Sequence, residues 1–533
     1  MISATILTFL SFIYYLAGSS LLYLSLHSNA WDLGIFNQVL YNTLAGHPFA
    51  YSFRSFGNYL GDHFSPILLF ISPLSAFKTS LPILALQAVG VSLAVLVLYL
   101  LSREMLKSKL VALAVAFSFA INPFTINILN FDFHPDFLFP LLFFAAFYFL
   151  VKSLGSTGGA CQEGQTLKGS DPVTTGRRYL IYSFVCVVLL QLIREDAALL
   201  IGPLAILAYF KFGQKKWALS VFAFSLIYSL GANLVIMPII RGGASSPLAE
   251  HYPYLGRSVG EIGLNVATHP GLVVRKFLGT AERTTIIKFF GSTGFLSLLS
   301  PITLILSAPI FAAHFLSVIS MRINLEGHYP SQLLAFMYVA VVFGVAEFFK
   351  AICNLRHAEG SNIRSISELR LFNIVAARIR DSSHAFALRM TANRANGLIS
   401  GYLVLTAIVS FALFSPFPPS LSASVDRFTV RPHHELFWKL LKSIPDGVPV
   451  SAQTNLVPAL AFRRGVYEFP DLRDAAYVVL DEGGPVSGQS IEWGYNEKKN
   501  NLTKCGYSLI TDEDGFKIYK KDPGFNLWQF LGC

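Results

Sequence analysis

Trp31-Asp32-Leu33-Gly34-Ile35-Phe36-Asn37-Gln38, continuing to Gly61-Asp62-His63-Phe64-Ser65-Pro66, is the polar interruption that follows the first long apolar run, and the rest of the chain is placed by it. Leu33, Phe36, Val39, Leu40 and Leu44 recur at helical spacing with Asn37, Gln38 and Asn42 between them. That pattern predicts an amphipathic helix over 31–45 lying on a membrane surface. Asp32 stands at its start. There an acid either caps the first turn and faces the positive end of the backbone dipole, or serves as a catalytic carboxylate.

The membrane assignment rests on composition. The chain has 533 residues, of which 53% are hydrophobic and 14% charged, and its mean hydropathy is +0.53; a soluble domain cannot hide that much apolar surface. Net charge is +10, while residues 416–533 are close to neutral. Basic cytoplasmic loops account for the excess without nucleic acid. Of the five Cys, only Cys505 and Cys533 are placed to pair. The first 26 residues lack a basic start and a small-residue cleavage site, so they read as a retained helix.

A spanning helix needs about 20 apolar residues. Runs that approach this lie at 3–26, 80–102, 110–130, 137–152, 179–193, 197–212, 217–240, 284–299, 301–320, 329–349 and 398–415. The run 64–77 is short and holds Pro66 and Pro73, which predicts a half-helix dipping back from the surface. Lys and Arg gather in alternate connections: Arg103 to Lys109, Lys152 to Arg178, Lys211 to Lys216, and above all 350–397. The positive-inside rule then puts the N-terminus in the cytoplasm and, after eleven spans, the C-terminus outside. Residues 153–176 read as a flexible linker, lacking the Gly-Lys-Ser/Thr ending of a phosphate cradle. No internal repeat is visible.

After Pro416, Pro418 and Pro419 the composition becomes that of a small soluble module. A helix from His434 to Leu441, strands at Val448–Ser451 and Ala476–Leu480, and a hairpin through Asp512-Glu513-Asp514-Gly515 predict an α/β fold. The expected architecture is thus a polytopic α-helical domain over 1–415 and an extracytoplasmic α/β domain over 416–533.

This orientation brings most of the acids and His at span ends to the outer side: Asp32, Asp62 and His63; Asp132, His134 and Asp136; Arg194, Glu195 and Asp196; Arg322 and His328-Tyr329. Charges cost about 2.5–3.5 kcal/mol each at mid-bilayer, so gathering them at the interface avoids that penalty. Asp132-Phe133-His134-Pro135-Asp136 alternates polar with apolar, which in an extended stretch puts three metal-ligating types on one face; carboxylate with imidazole suits Mg²⁺, Mn²⁺ or Zn²⁺. A plain helix start with Pro135 in the first turn is the competing reading. Arg194-Glu195-Asp196 reads as an ion pair with a cap or as site residues, and Asp62 or Ser65 as a cap for the half-helix.

In their order, Asn29 to Gln38, Gly61 to Leu68, Phe133-His134-Pro135-Asp136, Arg194 to Leu199, Gly327-His328-Tyr329 and Val450 to Pro458 resemble the successive motifs of the prokaryotic membrane family called domain of unknown function 2079 over roughly residues 10–482. That family carries no assigned reaction. More distantly, the chain resembles the GT-C superfamily of membrane glycosyltransferases. This resemblance implies a multi-pass protein of the cell membrane that takes a sugar from a polyprenyl-phosphate lipid to an extracytoplasmic acceptor, with Asp32 as the first outer-loop acid and Asp132 or Asp136 as the second. Those enzymes have a charged residue before a Pro at the next short helix; here Asp62-His63-Phe64-Ser65-Pro66 stands instead.

The expected roles follow. Asp32 takes the acceptor proton, with Asp62, His63, Glu195 and Asp196 as further candidates. Arg194, Arg322, His328 and Tyr329 bind the lipid phosphate, and Asp132, His134 and Asp136 hold a metal. A transporter or flippase of lipid-linked or small solutes, and a non-catalytic scaffold, are the alternatives; few mid-span polar residues and no repeat argue against the first.

Overall fold

A computed structural model describes residues 1–155, 172–244, 250–360 and 392–524. The linker expected over 153–176, the centre of the basic stretch 350–397 and Cys533 lie largely or wholly outside them. Long helices dominate: α1 (Ile2–Leu24), the surface helix α2 (Ile35–Leu44), α3 (Leu81–Leu106), α4 (Lys109–Ala120), α5 (Pro123–Asn130), α6 (Leu138–Ser153), α7 (Pro172–Gln191), α8 (Ala198–Phe210), α9 (Lys215–Gly231), α10 (Pro330–Gly360) and α11 (Ala392–Phe414).

Six segments among the described residues are long and apolar enough to cross a membrane, or seven if α4 and α5, bent by 41°, form one broken span. The bend falls at Asn122-Pro123, where Asn122 caps the second helix. Proline removes the N–H that would continue the first helix. The expected runs 284–299 and 301–320 are not continuous helices. They break into Thr280–Gly291, Leu296–Leu299, Pro301–Leu306 and Ala308–Phe315, interrupted at Ser300-Pro301 and Ser307-Ala308-Pro309. The half-helix of 64–77 is reduced to Leu68–Ile71 and a 3₁₀ stretch Ser72–Phe77, for the same reason.

One end of the helical body is basic. Lys107 and Lys152 both pair with Glu104, at 2.7 and 2.6 Å, and Lys211 meets Glu347 at 3.3 Å, so the separate Lys/Arg connections share one face. The opposite face carries the C-terminal module. Its sheet has strand order β2-β1-β3-β5-β4, built from β1 (Val450–Ala452), β2 (Val466–Glu468), β3 (Tyr477–Asp481), β4 (Tyr507–Glu513) and β5 (Phe516–Lys521). β1 runs parallel to β2 and β3, and β5 is antiparallel to β3 and β4. A helix, α12 (Pro432–Leu440), precedes it.

The module sits on α2. Leu33, Phe36, Val39 and Leu40 are fully buried, worth about 1.5–3 kcal/mol each. The polar residues between them are covered as well, by protein and not by water: Asn37 Nδ2 donates to the Pro458 carbonyl at 2.8 Å and Gln38 Nε2 to that of Arg464 at 2.8 Å. A Cβ at Gly34 would stand 2.8 Å from Val457 Cγ1, so only glycine allows this approach. The helix expected to float on lipid is a clamp between the two parts of the chain.

Candidate functional site at the rim beneath the C-terminal module

The first turn of the surface helix is wide, with i→i+5 bonding over Ala30–Gly34, a form that often marks functional positions. It projects Asp32 half-buried toward Asp132. Asp132 is buried and accepts from the Asn29 N–H at 2.8 Å. Burial and the neighbouring Asp132 charge push the Asp32 carboxyl up to about 7. Beside it, Trp31 Nε1 donates to Glu468 Oε2 of the module at 2.5 Å, and Thr454 Oγ1 accepts from the Ala30 N–H at 3.4 Å.

A second cluster lies beyond Phe36 and Phe133, whose rings meet at 5.5 Å. Arg194, 5% exposed, bridges two acids: Nη1 to Asp136 Oδ2 and Nη2 to Asp196 Oδ2, both 2.9 Å. Gln332 Nε2 donates to the other Asp196 oxygen at 3.1 Å. Glu195 turns the opposite way and fastens the dipping segment, accepting from the Phe64 N–H at 2.9 Å and facing His63 Nδ1 at 3.2 Å. The cap expected from Asp62 or Ser65 is not formed, since the short helix Leu68–Ile71 has no side-chain cap; Ser65 Oγ donates instead to the Ile193 carbonyl. Burial and Arg194 push the His63 imidazole down while Glu195 and Asp62 push it up, and the net direction is up. Burial raises Glu195, but the His63 and Arg194 charges outweigh it and hold that carboxyl below its ordinary value. Asp62 accepts from Tyr51 at 3.3 Å and faces Arg54 Nε at 3.8 Å.

Arg322 is 6% exposed and has no carboxylate partner among the described residues. Nη1 donates to the Tyr252 hydroxyl at 3.0 Å, the Tyr329 ring lies 5.2 Å from the guanidinium carbon, and Nε has no partner. It lines a small cavity with Asp136, Arg194, Asp196, Tyr329 and Gln332, to which Ile310, Ala313 and His314 of the broken segment also contribute.

His134 and Asp136 do come together, with Nδ1 and Oδ1 3.0 Å apart, but Asp132 is not with them. His328 takes the third place, its ring stacked on that of His134 at 3.6 Å and 6°. Gln87 Oε1 of α3 holds the His134 N–H at 3.1 Å, and Gly90 of the same helix lets Phe137 pack where a Cβ would lie 2.2 Å from its ring. The sequence reading missed Gln87, His314, Tyr252, Gln332 and Glu468; Gln87, His314 and Gln332 lie in or beside apolar runs, Tyr252 in the loop 250–254 and Glu468 in the module, with no motif around them.

Six stretches dispersed over more than 420 positions, from Trp31 to the Ser451–Pro458 loop, thus converge on one rim. The chain belongs to the family described as "Predicted membrane protein (DUF2079)". The family's sequence profile matches residues 22–155 and 176–517. No curated protein matches the sequence significantly. Among solved structures, the chain is similar to ArnT from Cupriavidus metallidurans bound to undecaprenyl phosphate, with 12% identity, TM-score 0.48 and 98% of each chain covered. It is similar also to the apo form of that protein, with 11% identity, TM-score 0.47 and 94% and 95% covered. The Archaeoglobus fulgidus oligosaccharyltransferase in complex with Zn and sulfate has 14% identity and TM-score 0.41, covering 97% of this chain and 74% of its own.

Proposed function

We propose that this family member is a multi-pass glycosyltransferase of the cell membrane that moves a sugar from a polyprenyl-phosphate donor to an extracytoplasmic acceptor. The observation that carries the reading is the buried guanidinium of Arg322, uncompensated by any carboxylate among the described residues and facing a cavity. A buried cation without an anion is costly, and a phosphate is an anion that a guanidinium can grip with two parallel hydrogen bonds. Arg194 is already neutralised by Asp136 and Asp196, so it positions the cavity wall, while Arg322 takes the phosphate.

In the reaction the acceptor hydroxyl oxygen forms a bond to the anomeric carbon as the bond from that carbon to the phosphate oxygen breaks. The hydroxyl proton passes to Asp32, and the electron pair leaves with the polyprenyl phosphate, whose growing charge Arg322 stabilises. Attack opposite the departing phosphate inverts the anomeric centre. A base that ionises near neutral pH is matched to this work, and Asp32 is raised to about 7. Asp62, His63, Glu195 and Asp196 brace the adjoining rim through Tyr51, Phe64 and Arg194. The basic end of the bundle faces the cytoplasm under the positive-inside rule, which leaves the module and the rim outside.

Purified protein in proteoliposomes, given polyprenyl-phosphate sugars extracted from native membranes, tests the reading. Wild type releases polyprenyl phosphate; Asp32→Asn and Arg322→Met do not, while keeping the elution profile of folded protein. Full turnover in Asp32→Asn removes the base from the mechanism.

A further inference from the structure

We propose that His134, Asp136 and His328 bind one divalent transition-metal ion of the zinc class. All three are buried, and one ligand atom from each lies within 4.8 Å of the others. Three of their polar atoms have no hydrogen-bond partner: Nδ1 of His134, Nδ1 of His328 and Oδ1 of Asp136. His134 Nδ1 and Asp136 Oδ1 stand 3.0 Å apart without the alignment of a hydrogen bond. Buried polar groups are ordinarily satisfied, so three unpaired atoms on three side chains that converge call for an occupant that accepts lone pairs.

The donor set selects its class. Two imidazoles and one carboxylate are borderline ligands that suit zinc, and three protein ligands leave a fourth position open. Tetrahedral bonds of about 2.0–2.2 Å hold donors roughly 3.3–3.6 Å apart, so the ion closes the cluster by about an ångström at its widest and turns the His328 ring out of its parallel stack on His134, because two cofacial imidazoles cannot both aim their in-plane lone pairs at one ion. The second shell is already built. Asp136 turns its other oxygen to Arg194 at 2.9 Å, and Gln87 fixes the backbone of His134. Partners of this kind orient metal ligands and tune their affinity.

The set differs from the sequence expectation, because Asp132 faces Asn29 and Asp32 on the far side of the Phe133 ring, and His328 arrives from a loop almost 200 positions later. It includes neither Asp32 nor Arg322, so metal content, read without any transfer assay, separates a failure of this proposal from a failure of the proposed transfer.

Full-length protein in detergent is stripped with chelator, reloaded with Zn²⁺ or Co²⁺, passed through a desalting column and measured by elemental analysis and visible absorption. The expected result is one ion per chain, with cobalt bands of a low-coordinate nitrogen and oxygen site. His134→Ala and His328→Ala lose the ion; Asp132→Asn and Asp32→Asn keep it. Because an alanine variant can misfold, His328→Cys serves as the second arm: it retains zinc and adds a sulfur-to-cobalt charge-transfer band. Wild type that loads no ion, or equal loading of wild type and both alanine variants, overturns the proposal; the first result makes the occupant an ordered water.

Discussion

Replacing Arg322 by Met should move lipid binding and stability in different directions. The guanidinium is 6% exposed, donates to Tyr252 at 3.0 Å and leaves Nε unpaired. In the phosphate-bound state it gains charge-assisted hydrogen bonds worth about 1.5–3 kcal/mol, so the variant should bind a polyprenyl phosphate about 10- to 150-fold more weakly. In the empty state the same group is a buried charge without a counter-ion, and Met fills similar volume at no desolvation cost. The unliganded variant should therefore melt no lower than wild type. Binding is read by titrating short-chain polyprenyl phosphate into protein in nanodiscs, stability by thermal unfolding of the same samples. Affinity within twofold of wild type, or a melting temperature well below it, would refute the reasoning, the second result making Arg322 a structural anchor for Tyr252.

Transfer should also depend on pH in a defined sense. Burial and Asp132 raise Asp32 to about 7, and only its ionised form accepts a proton, so kcat/KM should climb with pH and level off above that value. Asp132→Asn removes the neighbouring charge and should shift the inflection downward. By linkage, a carboxyl raised on folding adds stability below its unfolded value that is lost as pH rises through about 7, so Asp32→Asn should be at least as stable as wild type at pH 8. Gly90→Val places a side chain where Phe137 packs; overpacking of this kind costs about 1–3 kcal/mol, to be read by thermal unfolding together with loss of transfer, since Phe137 adjoins Asp136.

Local pattern carried much of this. The surface helix was legible because its apolar spacing is helical from Leu33 to Leu44, and the strands and hairpin of the module because alternation and turn residues bounded them. What pattern could not carry was partnership. Asn37 and Gln38 read as a wet face because the residues that cover them come more than 400 positions later. His328 read as a membrane-interface residue, since nothing near it in sequence announces that it stacks on His134. Arg194 and Arg322 looked alike as outer-side cations; only the surroundings separate one held by two carboxylates from one with none. The breaks within 284–320 were hidden by apolar composition, which measures the affinity of a segment for lipid and says little about whether Gly, Ser and Pro let it run straight.

The central claim is that Asp32 takes a proton while Arg322 holds a departing lipid phosphate. The most direct measurement is release of polyprenyl phosphate from a polyprenyl-phosphate sugar by reconstituted protein at pH 8. The account predicts turnover by wild type and none by Asp32→Asn, with the lipid still bound in that variant. Equal release by both, or no release with the donor instead equilibrating between leaflets, would contradict it.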